Sequence, residues 1–77
     1  YNMLTELIEM IKDTFAPEVE VTGDTAIKTD LNLDSFEIIN LIGILEDKYN
    51  IDINALDIVS LITVDDICNY IANKKLS

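Results

Sequence analysis

A helix-start signal near the middle of the chain determines how the rest of the sequence divides. Asp34 is followed three residues later by Glu37, and an apolar segment then extends to Tyr49. In such a capping box the first side chain accepts a hydrogen bond from a free backbone N–H, and the second reaches back to the N-cap. The pattern predicts a helix from about Ser35 to Lys48, with Asp34 as its N-cap.

Three further segments have features of helices. The first has apolar side chains at helical spacing and ends at Ala16-Pro17; these side chains are Leu4, Leu7, Ile8, Ile11 and Phe15. A short third element is predicted from Ala55 to Val59. Thr63 with Asp66 forms another cap signal, which starts a last helix whose inner stripe is Val64, Ile67, Cys68 and Ile71. We therefore predict an all-α fold, a small three-to-four-helix bundle, with residues 1–77 as a single domain.

The connection between the first two helices runs from Glu18 to Asp34 and has no regular periodicity. It is longer than the roughly 12–15 residues usual for a structureless loop, so we expect it to be packed against the bundle or functional. Thr22-Gly23-Asp24 predicts a turn within it. Its apolar residues, which we expect to hold it against the core, are Ala26, Ile27, Leu31 and Leu33.

The charge of the chain restricts its partners. Fifteen acidic residues and five lysines give a formal net charge of −10 at pH 7. Such a chain repels nucleic acid and anionic membranes, favours partners with basic patches and opposes self-association, so we expect a monomer.

No apolar run approaches the roughly 20 residues that span a bilayer, and no signal peptide is evident at the N-terminus. Cys68 is the only cysteine, and a cytoplasmic location is expected.

The predicted second helix has more apolar residues than one buried face requires. Its inner side is formed by Ile38, Leu41, Ile42, Leu45 and Tyr49. The opposite side, here called the outer face, consists of Phe36, Glu37, Ile39, Asn40, Gly43, Ile44, Glu46 and Asp47. Apolar groups ringed by carboxylates predict a docking surface for a partner with a hydrophobic notch and a basic rim. The alternative is that the third helix or the long loop covers Phe36 and Ile44.

Ser35 is better placed for modification than for catalysis. A nucleophilic serine requires a general base, and the chain has no histidine. The alternative is that Ser35 only caps a helix.

Three residues before Ser35 match the start of a calcium-binding EF-hand loop, namely Asp30, Asn32 and Asp34. The pattern fails at the later ligand positions, so no dedicated metal site is predicted.

These residues together resemble the acyl carrier proteins. The similar segments are Asp34-Ser35-Phe36, Asp30-Leu31-x-Leu33 before it, Leu41, Leu45-Glu46-Asp47 and Ile51-Asp52-Ile53 after it, and later Thr63-Val64-x-Asp66-Ile67 and Tyr70-Ile71. The resemblance covers nearly the whole chain in length, order and charge. It implies a carrier without catalytic residues of its own.

The resemblance also implies a cofactor and partners. Ser35 would carry 4′-phosphopantetheine, attached from coenzyme A by a phosphopantetheinyl transferase, with Asp34 as its motif neighbour. The outer face would contact acyl- or aminoacyl-handling enzymes, and Ile53, Ile58 and Ile62 would shelter an acyl chain. Phe36 after the serine is also similar to the D-alanyl carriers. The cargo therefore stays open between acyl groups and aminoacyl or secondary-metabolite groups, and a helical interaction module without a cofactor is the alternative from another class.

Overall fold

The computed structural model describes residues 2–76. Within them the chain forms four helices, which are α1 (Met3–Phe15), α2 (Ser35–Tyr49), α3 (Ala55–Ile58) and α4 (Val64–Leu76). A single isolated β-bridge joins Ala26 to Thr63 in the described part of the chain. The predicted all-α bundle is confirmed. No helix among residues 2–76 has the length and apolar character needed to cross a membrane.

The ends of α1 follow from local chemistry. Asn2 is the N-cap, and its side-chain oxygen accepts a hydrogen bond of 2.8 Å from the backbone N–H of Leu4. At the other end Ala16 has a left-handed conformation with φ 43°, and its N–H donates to the carbonyl of Lys12 at 2.9 Å. Pro17 follows and has no N–H to continue the helix. The predicted stop at Ala16-Pro17 is confirmed.

The capping box before α2 is also confirmed. Asp34 Oδ1 accepts a hydrogen bond from the N–H of Glu37 at 2.8 Å, and Glu37 Oε1 accepts one from the N–H of Asp34 at 3.0 Å. The helix ends at Tyr49, one residue beyond the prediction, and Asn50 forms a left-handed C-cap with φ 54°.

The core lies between α1, α2 and α4 and includes part of the long loop. Its buried residues are Leu7, Ile11, Val21, Ile27, Leu31, Leu33, Leu41, Ile42, Leu45, Tyr49, Ile53, Val64, Ile67 and Ile71. Tyr49 of α2 also forms hydrogen bonds with residues of α1 and α4. Its hydroxyl donates to Glu6 Oε1 at 2.8 Å, and its carbonyl accepts from Lys75 Nζ at 3.2 Å. The predicted inner side of α2 is therefore buried, except that Ile38 is half-buried.

The long loop is joined by backbone hydrogen bonds to the start of α4 and to the segment before it. The N–H of Ile27 donates to the carbonyl of Ile62 at 2.9 Å, and the N–H of Asp65 donates to the carbonyl of Gly23 at 2.9 Å. Gly23 allows this close approach, because a Cβ at this position would overlap the Asp65 carboxylate. The prediction that the loop packs against the core is confirmed, although Ala26 is only half-buried.

The short α3 and the start of α4 are held by side chains. Tyr70 donates its hydroxyl proton to Asp57 Oδ2 at 2.7 Å, which joins α3 to α4. At the start of α4, Thr63 Oγ1 accepts from the N–H of Asp66 at 3.1 Å, and Asp66 Oδ2 accepts from the N–H of Thr63 at 3.0 Å. The predicted cap signal is confirmed. Cys68, which we expected in the buried stripe, is half-buried.

Candidate functional site

Ser35 occupies the first helical position of α2, and its side chain is exposed. Asp34, and not Ser35, is the N-cap that accepts the hydrogen bond from Glu37. Within residues 2–76 the Ser35 hydroxyl forms no hydrogen bond with the protein. The alternative in which Ser35 only caps the helix is therefore wrong, and its hydroxyl is available to another molecule.

An open apolar groove of about 390 Å³ lies beside Ser35, between α2, α3 and the segments before α2 and α4. We call it the groove. Its lining residues are Ala26, Ile27, Lys28, Thr29, Ser35, Ile38, Ile39, Leu41, Ile42, Ile58, Val59, Leu61, Ile62 and Ile67. No carboxylate is among these lining residues, so the groove lacks the paired acids that acid–base catalysis would use. Its chemistry suits an apolar ligand.

The structure places two of the three residues expected to shelter an acyl chain in the groove. Ile58 and Ile62 line it, whereas Ile53 does not and is buried in the core. The N–H of Ile53 donates to Glu46 Oε2 at 2.9 Å, which joins this segment to α2. The sheltering of an acyl chain by these three residues stays a prediction. Lys28 and Thr29 were not predicted to lie at this site, since no local pattern in the sequence shows that the loop borders the groove.

The outer face of α2 is exposed in its middle and half-buried at its edges. Phe36 is 79% exposed and Ile39 is 66% exposed. Asn40, Gly43 and Asp47 are exposed as well, whereas Glu37, Ile44 and Glu46 are half-buried. The alternative that another element covers Phe36 is therefore wrong. Ile44 is half-buried and is therefore less exposed than expected.

Two of the acids expected at the docking rim have bonds within the chain. Glu37 accepts from the N–H of Asp34, and Glu46 accepts from the N–H of Ile53. Among the acids of the outer face in the described residues, Asp47 is exposed, whereas Glu37 and Glu46 are half-buried. Across the groove, three more apolar side chains are exposed, namely Leu56, Val59 and Ile62. The surface around Ser35 is therefore more apolar than the sequence analysis expected.

Two side chains with shifted pKa values, Asp66 and Cys68, lie outside the lining of the groove beside Ser35. Hydrogen bonds from the backbone N–H groups of Thr63 and Ile62 lower the pKa of Asp66. Burial, and secondarily the charge of Asp65, raises the pKa of the Cys68 thiol. Neither Asp66 nor Cys68 lines the groove.

The partial EF-hand pattern forms no metal cluster in the described part of the chain. Asp30 Oδ2 accepts from the N–H of Ala26 at 2.8 Å, and Asp34 caps α2. Asn32 lies between them in a left-handed conformation with φ 56°. The Asp30 side chain therefore bonds to the backbone of the loop, and the Asp34 side chain bonds to the backbone of α2.

Ser35 and the groove fit a covalently attached arm. The hydroxyl is exposed and without a hydrogen-bond partner in residues 2–76, and it stands at an open groove whose walls are almost entirely apolar. A group attached there has access to solvent and to the groove.

Comparison with known proteins agrees with this geometry. Residues 5–71 match the family model described as a phosphopantetheine attachment site. An acyl carrier protein of Exiguobacterium sp. is 34% identical over 74 residues, which cover 95% of this chain and 94% of that protein. An acyl carrier protein of Exiguobacterium sibiricum is 37% identical over 71 residues (91% of this chain and 90% of that protein). One from Campylobacter jejuni is 40% identical over 55 residues, 71% of each chain.

These matches confirm the resemblance seen in the sequence motifs. The family model spans the loop, the Asp34-Ser35-Phe36 motif and most of α4. The chain belongs to the acyl carrier proteins, a family that carries acyl groups on a covalent 4′-phosphopantetheine group and is not itself catalytic.

Proposed function

We propose that Ser35 is the attachment point for 4′-phosphopantetheine and that the protein delivers acyl groups to cytoplasmic enzymes of fatty acid synthesis or a related acyl pathway. The observation that supports this proposal is the exposed Ser35 hydroxyl, which has no partner in residues 2–76 and borders the groove. When bound, the arm supplies a terminal thiol that holds the acyl group as a thioester. The carrier acts as a monomer, with residues 1–77 as one carrier domain.

The attachment needs an external enzyme. A phosphopantetheinyl transferase forms the bond between Ser35 Oγ and the phosphorus of the pantetheine end of coenzyme A. The pyrophosphate bond breaks, adenosine 3′,5′-bisphosphate leaves, and a base of the transferase takes the hydroxyl proton. Asp34 contributes by fixing the start of α2, so that Ser35 presents its hydroxyl outward.

The outer face of α2 is the proposed docking surface for the transferase and for the acyl-handling enzymes. Phe36 and Ile39 supply exposed apolar anchors, and Asp47 supplies an exposed negative charge. A partner with an apolar notch and a basic rim complements this arrangement. The negative field of the whole chain speeds the encounter, and this effect weakens as salt is added.

The groove is the proposed shelter for an acyl chain. Ile38 and Ile42 of α2 line it together with Ile58 and Ile62, and all four side chains are apolar. Long-chain loading is expected to shift the NMR signals of these four residues relative to the unloaded carrier. Signals that stay fixed between the two forms would exclude the groove as the shelter.

Loading in vitro tests the attachment. The protein is incubated with coenzyme A, Mg²⁺ and a broad-specificity transferase, and its intact mass is measured. The wild type is expected to gain one arm, and Ser35→Ala none. Ser60→Ala is the matched control, because Ser60 is also exposed but lies beyond α3 and outside the groove lining. An unmodified wild type beside a working control carrier would favour a bare helical interaction module.

A second cargo class is supported by Phe36. This residue directly follows Ser35 and is 79% exposed, and in sequence it resembles the D-alanyl carriers. The carrier would then hold an aminoacyl or secondary-metabolite group on the same arm. Mass spectrometry of the protein isolated from its native host distinguishes the two classes by the attached group.

A further inference from the structure

Lys28 differs from the other lysines of the chain in having no partner. Within residues 2–76 its ammonium group forms neither an ion pair nor a hydrogen bond. The contacts of the other four are Lys12 with Glu9 at 3.8 Å, Lys48 with Glu6 at 3.9 Å, Lys74 over the Tyr70 ring at 5.4 Å, and Lys75 with the Tyr49 carbonyl at 3.2 Å. In a chain of net charge −10 a lysine with no ion pair, hydrogen bond or ring contact is unexpected.

Lys28 and Ser35 line the same groove. Lys28 is the charged residue among the described lining residues. The other side chains there are apolar, apart from the hydroxyl groups of Thr29 and Ser35. A positive charge beside an apolar groove acts more strongly on a nearby anion than the same charge in bulk water.

The carboxylates near Lys28 in sequence bond to backbone groups instead. Asp30 accepts from the N–H of Ala26 at 2.8 Å, Asp34 accepts from the N–H of Glu37 at 2.8 Å, and Glu37 accepts from the N–H of Asp34 at 3.0 Å. Asp30 and Asp34 are exposed and Glu37 is half-buried, and all three acidic residues lie within five positions of Ser35 in the sequence. Any anion attached to Ser35 therefore enters a repulsive field, in which Lys28 supplies the opposite charge.

We infer that Lys28 pairs with the phosphodiester of the arm and positions the first part of the arm over the groove. This inference rests on the proposed attachment at Ser35. A phosphodiester carries one negative charge, and lysine presents a compact charge on a flexible stem that follows its partner. The pair lowers the repulsion between the phosphodiester and the carboxylates of Asp34 and Glu37.

Phosphorus NMR of the loaded carrier without cargo tests this pairing. The measured quantities are the ³¹P chemical shift and relaxation of the phosphodiester at roughly 0.01 M and 1 M NaCl, between which the screening length falls from about 30 Å to about 3 Å. The variants are Lys28→Gln and Lys28→Arg. Lys12→Gln is the matched control, since it makes the same change of charge on the exposed side of α1.

In the wild type, salt is expected to move the ³¹P shift and to speed the motion of the phosphodiester. Lys28→Gln is expected to have the high-salt values already at low salt, with at least half of the salt response lost. Lys28→Arg is expected to keep the response, because it keeps the charge, and Lys12→Gln is expected to behave as the wild type. Lys28 is exposed, so all variants are expected to fold, which circular dichroism melts verify.

The outcomes separate the two proposals. If Ser35 is not loaded at all, the proposed function fails and the inference fails with it. If loading succeeds and Lys28→Gln gives the same ³¹P values as the wild type at both salt concentrations, the pairing is refuted and the carrier function stands. An effect of Lys28 that appears only when the thiol carries a cargo with a carboxylate would assign the lysine to the cargo and overturn the pairing with the arm.

Discussion

Gly43 offers a sharp test of the docking face, because its effects on stability and on docking are expected to have opposite signs. It lies inside α2 on the outer face and is exposed. A Cβ added there would meet nothing within 4 Å, and its backbone does not have a positive φ. Alanine therefore fits at this position without strain or overlap in the isolated protein.

The gain in stability follows from helix propensity. Glycine in a helix interior is about 1 kcal/mol less favourable than alanine. The exposed methyl group buries no surface, so Gly43→Ala is expected to raise the free energy of unfolding by about 1 kcal/mol. For a domain of this size that corresponds to a melting temperature higher by roughly 4–8 °C. With a urea dependence of about 1 kcal/mol per molar, the midpoint rises by about 1 M.

Urea unfolding followed by circular dichroism measures this change. Asn69→Ala is the matched control, since Asn69 is exposed in α4 and lies outside the groove and the outer face. It is also expected to stabilise the chain through propensity, by about 0.5 kcal/mol. A Gly43→Ala variant less stable than the wild type would refute the reasoning, because it would mean that the methyl group meets a part of the protein.

Docking is expected to respond in the other direction. If a partner backbone approaches Gly43 closely, the methyl group holds the two surfaces apart at a cost of about 1–3 kcal/mol. The kcat/KM for loading by the transferase is then expected to fall roughly tenfold for Gly43→Ala and to stay unchanged for Asn69→Ala. A stabilised Gly43→Ala that is loaded at the wild-type rate would remove Gly43 from the docking contact.

Three further predictions concern the loop, the start of α4 and the thiol. Asn32 has φ 56°, so Asn32→Ala is expected to cost about 1 kcal/mol in urea unfolding while Asn32→Gly costs less; equal midpoints for wild type and Asn32→Ala would contradict this. Hydrogen bonds from Thr63 and Ile62 lower the pKa of Asp66, so its carboxylate stabilises the fold above the ordinary aspartate pKa, and this contribution is lost as pH falls through the lowered pKa. The difference in unfolding free energy between wild type and Asp66→Asn is therefore expected to be largest near neutral pH and to shrink in acid; a difference that grows in acid would refute it. Burial raises the pKa of Cys68, so iodoacetamide at about pH 8 is expected to modify it more slowly than free cysteine in a mass-spectrometric time course, and equal rates would contradict the shift.

Local chemistry made much of the fold predictable. The reciprocal bonds of Asp34 with Glu37 and of Thr63 with Asp66 each span three residues, so the sequence displays them directly. Periodicity likewise predicts which side of α2 faces the core. It assigned Phe36 to the exposed side, as observed.

Long-range contacts account for what was missed. The groove depends on the bond from Ile27 to Ile62, whose partners are far apart in sequence and share no local pattern. Lys28 is the next residue after Ile27 and lines the groove together with Ser35. Glu46 was predicted as a docking charge, and its bond to the N–H of Ile53 depends on how the chain turns back after α2.

The backbone bonds of the long loop determine where movement takes place in this carrier. The loop leads directly to Ser35, and the bonds of Gly23 and Ile27 fix it to the start of α4 and to the segment before it. Cap bonds fix the helix start on the other side of the serine. The anchorage point is thus held by hydrogen bonds from both directions, and we expect the reach of a carrier of this kind to come from the length of its tether rather than from bending of the protein.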